Sequence, residues 1–174
     1  MSRRGSLVAA LVVATLACSK GDAPRGAAFR PIQVGDRAPA YAARALSGDT
    51  VRVGAGSPVL LNVWATWCTS CREEMADLAA LSREYAPKGV TVLAVSVDAG
   101  DGVRVRRFAE AEKLPFVVAH DPGGEVQKAF QAVGVPETYL ISGDGRMLWV
   151  QRGGLHGAAE NVRATLDSAV RQLR

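Results

Sequence analysis

The sequence predicts an α/β domain built on a central mixed sheet with helices on both faces. Three observations predict it: short, almost wholly apolar runs that read as doubly buried strands, amphipathic segments alternating with them, and a late pair of strands joined by Gly143-Asp144-Gly145. Strands that alternate with helices pair in parallel, and a hairpin adds antiparallel neighbours.

The elements follow in order. From Val34 to Val53 short apolar stretches are broken by Pro39 and Ser47-Gly48-Asp49, which predicts a small N-terminal hairpin. Val59–Trp64 (VLLNVW) comes after Gly56-Ser57-Pro58 as a continuous run, the pattern of a strand buried on both faces. Met75, Leu78, Leu81 and Tyr85 recur at three- and four-residue steps, a helix closed by Pro87 and Gly89. Val90–Val97 is a second buried strand, Val103–Leu114 an amphipathic helix and Pro115–Ala119 a short third strand. Glu125–Val133 reads as a short helix with Val126, Ala129, Phe130 and Val133 on one side. Thr138–Ser142 and Arg146–Arg152 form the hairpin, and Val162, Leu166, Ala169 and Leu173 mark a closing helix. The order is β-α-β-α-β-α-β-β-α behind the small hairpin, without internal repeats.

A chain of 174 residues holds one ordinary domain with short extensions, and 48% hydrophobic with 22% charged residues is globular composition. The net charge of +4 is small and scattered, so nucleic acid is not an expected partner. Three cysteines are too few for a disulfide scaffold.

Residues 1–17 are read separately. Arg3 and Arg4 precede an uncharged, mostly apolar run from Gly5 to Ala17, which is a secretory signal too short for a permanent span. Thr15-Leu16-Ala17-Cys18 resembles the lipobox of bacterial lipoproteins, although leucine is usual where Thr15 stands. The resemblance implies that Cys18 is lipidated and becomes the new N-terminus; a plain secretory signal and an uncleaved anchor are the alternatives. Residues 18–31, rich in Gly, Ala, Pro and charge, read as a flexible tether, and 32–174 as the domain. An exported domain works where disulfides persist.

One constellation carries chemistry. Cys68-Thr69-Ser70-Cys71 lies where the strand ending at Trp64 hands over to a helix. A thiol at a helix N-terminus faces free backbone N–H groups, which favour thiolate, and a spacing of three brings the second sulfur within bonding distance. Cys68 is the expected attacking thiol and Cys71 the buried one that resolves a mixed disulfide. Half a zinc site and a purely structural bridge are the alternatives. The first lacks a second Cys-x-x-Cys or a Cys-x-x-His, and the second would gain little from so short a loop.

Trp64-Ala65-Thr66-Trp67-Cys68-Thr69-Ser70-Cys71-Arg72-Glu73-Glu74-Met75 resembles the active-site segment of the TlpA/ResA-like thiol-disulfide oxidoreductases, which belong to the wider AhpC/TSA–redoxin superfamily. Val34-Gly35-Asp36-Arg37-Ala38-Pro39, Val95-Ser96-Val97-Asp98 and Gly134-Val135-Pro136 agree with it, so the resemblance covers about residues 32–173. It implies a thioredoxin-like fold with an inserted helix and strand over about residues 98–121. It also implies that Pro136 is a cis-proline facing the disulfide, which leaves the Val135 backbone free to pair with an extended substrate segment. Glu74 falls where the family can carry a glutamate near the thiols, able to accept or relay a proton from Cys71; a solvated helix-face glutamate is the alternative. Trp67 is expected to shield the disulfide and Trp64 to be core.

Two departures stand out. The family's usual proline after the second cysteine is Ala76 here, so the helix is expected to lack its kink. Glu137 follows the cis-proline position and is expected to place negative charge near the substrate groove.

The expected activity is protein-disulfide reduction by Cys68 and Cys71, with no metal, flavin or nicotinamide. The resemblance implies client proteins with cysteine pairs, such as apocytochrome c or copper-site proteins, and a membrane electron donor of the DsbD/CcdA type. The protein is expected to be a monomer held at the extracytoplasmic face by its lipid anchor. A disulfide-forming oxidant or isomerase and a copper- or thiol-binding module are the alternatives. A peroxiredoxin-type peroxidase is disfavoured, because Leu61 and Trp64 stand where its Pro-x-x-x-[Ser/Thr]-x-x-Cys motif needs proline.

Overall fold

A computed structural model describes residues 29–173. The signal, Cys18 and most of the tether lie outside the described residues. The elements run β1 (Ala42–Arg44), β2 (Thr50–Arg52), β3 (Val59–Trp64), α1 (Thr69–Glu73), α2 (Met75–Tyr85), β4 (Thr91–Ser96), α3 (Val103–Ala111), β5 (Val117–His120), α4 (Glu125–Phe130), β6 (Glu137–Ile141), β7 (Met147–Arg152) and α5 (Ala159–Arg171).

Five strands form the main sheet in the order β5-β4-β3-β6-β7. β3 pairs in parallel with β4, and β4 with β5; β6 runs antiparallel to β3 and β7 antiparallel to β6. β1 and β2 make the separate small hairpin. The mixed sheet and the element order therefore agree with the sequence reading.

All six residues of β3 are buried, and their alternation decides which core each enters. Leu60 and Trp64 point into a cluster with Cys71, Met75, Leu78 and Leu81 of the motif helices and Val162, Leu166 and Val170 of α5. Val59, Leu61 and Val63 face the other side, against Val126 and Phe130 of α4 and Ala43 of the hairpin. The inserted helix α3 joins the first cluster through Val105 and Phe108, whose ring lies 5.2 Å from that of Trp64.

α3 ends at Ala111 and not Leu114, β5 starts at Val117 and not Pro115, and two further differences from expectation bear on the site. α4 stops at Gln131, whose φ is +50°, instead of continuing to Val133. The N–H groups of Val133 and Gly134 donate to Glu137 Oε1 instead of extending the helix, and Val133 is left exposed. The motif helix, expected to be unbroken without a proline, is divided at Glu74 into α1 and α2. The division coincides with the residue whose carboxylate is bonded into the core, so Ala76 does not make this helix continuous.

Candidate active site

The strand order brings the Cys-x-x-Cys segment to the carboxyl end of β3, in the middle of the sheet. The loop between them is pinned by Asp98, which accepts from the Thr66 N–H at 2.8 Å, from the Thr66 hydroxyl at 2.5 Å and from the Ser96 hydroxyl at 2.7 Å. Burial pushes the Asp98 carboxyl up, but these donors outweigh it and hold the group below the usual carboxylate range. The Asp98 carbonyl in turn meets His120 Nε2 at 2.7 Å. A Cβ on Gly102 would come within 2.6 Å of that imidazole, so the residue that caps the start of α3 must be glycine.

Cys68 and Cys71 are joined as a disulfide with Cα atoms 5.2 Å apart. Cys68 is the N-cap of α1, and its sulfur accepts the Cys71 N–H at 3.2 Å, with the Ser70 hydroxyl 3.5 Å away. The same donors would stabilise a thiolate there. Cys68 keeps 8% of its surface exposed and Cys71 none, which separates an approachable sulfur from a sealed one.

The peptide bond between Val135 and Pro136 is cis, and the Val135 carbonyl oxygen lies 3.9 Å from Cys68 Sγ. Trp67 precedes Cys68 and is 62% exposed, so its indole is open to a partner. Glu137, expected to present charge to the groove, instead is buried. Its carboxylate receives the Val133 and Gly134 N–H groups and the Tyr139 hydroxyl, and Arg152 lies 3.9 Å away. It braces the segment leading to Pro136 from below, because burial without those partners would be prohibitive.

Glu74 is fully buried, which excludes a solvated helix-face residue. It accepts from Asn62 Nδ2 at 2.7 Å and from the Leu155 N–H at 2.9 Å. Burial pushes its carboxyl up to about 7 against the pull of these two donors, with Asp77 adding a smaller push. A carboxyl of raised proton affinity thus lies three residues beyond Cys71. Asn62 was hidden in the sequence as one residue of an apolar strand; a lone amide within VLLNVW was the available signal.

Beside α1, a groove of about 360 Å³ is lined by Thr69, Arg72, Glu73, Phe108 and Glu112. Among the described residues, no group of three or more His, Cys, Asp or Glu is placed to hold a metal ion.

Comparison with known proteins decides the family. Residues 34–150 match the AhpC/TSA family. The chain is 36% identical over 155 residues to the thiol-disulfide oxidoreductase ResA of Oceanobacillus iheyensis, covering 86% of this chain and 77% of that one. The chain belongs to the AhpC/TSA family, in its ResA-like branch. Another similar member is the thioredoxin-like protein YneN of Bacillus subtilis, 36% identical over 118 residues, with 66% of this chain and 68% of that one covered. A Chlorobium tepidum structure described as a DsbE thiol:disulfide interchange protein superposes with a TM-score of 0.73. It is 30% identical, and the match covers 80% of this chain and 99% of that one. This ResA-like protein is a thiol-disulfide oxidoreductase with a thioredoxin-like fold, and Cys68–Cys71 is its redox pair.

Proposed function

We propose that the protein is a protein-disulfide reductase of the cell envelope. The observation that carries the direction is Glu74, buried one turn from Cys71. A carboxylate beside the thiols opposes thiolate formation and so disfavours the reduced form. A pair whose reduced form lacks stabilisation has a low potential and gives its electrons away.

In the reduced enzyme the Cys68 thiolate attacks one sulfur of a client disulfide. The client bond breaks, a client thiolate leaves, and Cys68 is held in a mixed disulfide. Cys71 gives its proton to the Glu74 carboxylate and attacks Cys68 Sγ. The second client sulfur leaves as thiolate, so two electrons have passed to the client and the Cys68–Cys71 bridge remains. Trp67 and the Val135–Pro136 segment receive the client chain, the free Val135 backbone pairing with it in strand fashion.

The envelope setting rests on the leader, with Cys18 as the lipidated anchor holding the domain at the extracytoplasmic face. Re-reduction is assigned to a membrane donor of the DsbD/CcdA type, and the clients to proteins with cysteine pairs such as apocytochromes c or copper-site proteins. The chemistry itself needs no metal or organic cofactor.

Equilibration of the Cys68–Cys71 couple against dithiothreitol and glutathione buffers tests the direction. The expected potential is at or below about −230 mV. A value near about −150 mV or higher would assign the protein to disulfide formation or isomerisation instead.

A further inference from the structure

Asn62 lies in the middle of β3 and is completely buried among apolar neighbours. An amide there is costly unless its hydrogen bonds are used. Its Nδ2 donates to Glu74 Oε1 at 2.7 Å and to Thr138 Oγ1 at 3.0 Å. Its Oδ1 is equally buried and has no partner among the described residues. The amide is therefore half satisfied, with both engaged contacts on the donor side.

The other oxygen of Glu74 is held differently. Leu155 N–H donates to Oε2, and a backbone N–H can only donate. Oε2 therefore remains an acceptor whether or not Glu74 carries a proton. The carbonyl oxygen of a carboxylic acid is its better acceptor, so the Leu155 bond favours the proton on Oε1, the oxygen that faces Asn62.

We propose that Asn62 is the positioning residue for proton exchange at Glu74, its amide serving the ionised carboxylate through Nδ2 and, after a half-turn, the protonated carboxyl through Oδ1. Thr138 completes the pair, because its hydroxyl accepts from Nδ2 in the first state and donates to Oδ1 in the second. A half-turn of an asparagine amide exchanges its two ends at nearly constant shape. In the second state the end without a partner is Nδ2 in place of Oδ1, so one end of the amide is unengaged in either state. Asn62 thereby keeps both protonation states of Glu74 hydrogen-bonded, which an apolar residue could not do. This inference rests on the reading of Glu74 as the proton acceptor for Cys71.

The charged groups around Glu74 are few. Asp77 of α2 pushes its proton affinity up, and His156, from the loop before α5, pairs with Asp77 at 3.5 Å. Arg72 and Glu73 of α1 are exposed. Glu137 of β6 and Arg152 of β7 are turned toward each other and toward the segment before Pro136. Among the described residues, Asp77 with His156 is thus the competing influence, and the His156→Gln variant serves as its control.

The test is an NMR titration of the oxidised full-length protein, following the Glu74 carboxyl carbon and the Asn62 side-chain amide together. Both are expected to move with one midpoint, to keep it shared in His156→Gln, and the Asn62 transition is expected to vanish in Glu74→Gln. Asn62→Leu removes both hydrogen bonds, and the charge-assisted one to the ionised form is the stronger. The Glu74 midpoint is then expected to rise by at least one pH unit, tenfold in proton affinity. Asn62 signals that stay flat through the Glu74 transition, or that still titrate in Glu74→Gln, would overturn the proposal without any need for the leucine variant to fold. A folded Asn62→Leu protein with an unchanged Glu74 midpoint would overturn it as well. The pH profile of bridge formation in reduced Glu74→Gln reports separately on the proton-acceptor reading. An unchanged profile there removes the role of Glu74 in exchange, while the shared midpoint still decides the coupling to Asn62.

Discussion

A carboxyl group with no exposed surface titrates at a pH set by its neighbours, and for Glu74 the balance is legible. Loss of hydration raises its pKa from 4.5 to about 7, and the Asn62 and Leu155 donors hold back a larger rise. The folded state therefore binds this proton more tightly than the unfolded chain does. Its contribution to stability is fully present below about pH 4.5 and is lost as the pH rises toward 7, by about 3 kcal/mol from the size of the shift. Glu74→Gln removes the titration, so its stability relative to the parent should increase across that interval and level off above it. Urea unfolding of both oxidised proteins at pH 4 and pH 8 measures this; a gap that is the same at both pH values would contradict the assignment. Glu137 illustrates the opposite case, a buried carboxylate whose donors do structural work on Val133, Gly134 and Tyr139. Glu137→Ala strands those donors and should cost about 2–4 kcal/mol while slowing exchange with a disulfide peptide, because the segment before Pro136 loses its brace. Unfolding curves and exchange rates on one preparation check both halves.

At the scale of elements, the informative feature is the break between α1 and α2. The expectation of an unkinked helix came from Ala76 standing where proline is usual, and it failed because the cause of the break lies elsewhere. Glu74 reaches to Asn62 on β3 and to Leu155 after β7, two partners distant in sequence that no helical period reveals. Ala76 is exposed in the first turn of α2, a position that tolerates proline. Ala76→Pro should therefore fold normally and gain about 0.4–1 kcal/mol by restricting the unfolded chain, with the reduction potential unchanged. A loss of stability would show that the two helices are one strained helix. The early end of α4 has the same kind of origin, since Glu137 captures N–H groups that periodicity alone would assign to the helix. Strand positions and helix order were readable from apolar period and turn residues; boundaries set by a long-range carboxylate were not.

Across the whole molecule, the site is assembled from β3, the α1–α2 junction, the segments before α3 and β6, and the loop after β7. The two cysteines announce themselves by spacing, and Pro136 by resemblance to a family. Asn62, Asp98 and Glu137 are brought to the site only through contacts that the sheet order creates, and so were invisible as a group. Every hydrogen bond described for Cys68, Cys71 and Glu74 comes from residues between Asn62 and Leu155. The first described residues are tied in remotely from these, through Arg30 to Asp36 and Gln131 and through Ile32 to Arg152. Among the described residues, the buried side chains of both cores that flank the sheet begin at Ile32. A chain beginning at Phe29 should therefore unfold at the same urea concentration as the full-length protein and exchange with a soluble disulfide peptide at the same rate, within twofold. What it should lose is retention on membranes, the property assigned to the leader and Cys18. Measuring exchange in solution and membrane partition side by side separates the two roles: reduced exchange in the shortened chain would mean that the first 28 residues also contribute to the redox site, whereas a change in partition alone would confine them to anchoring.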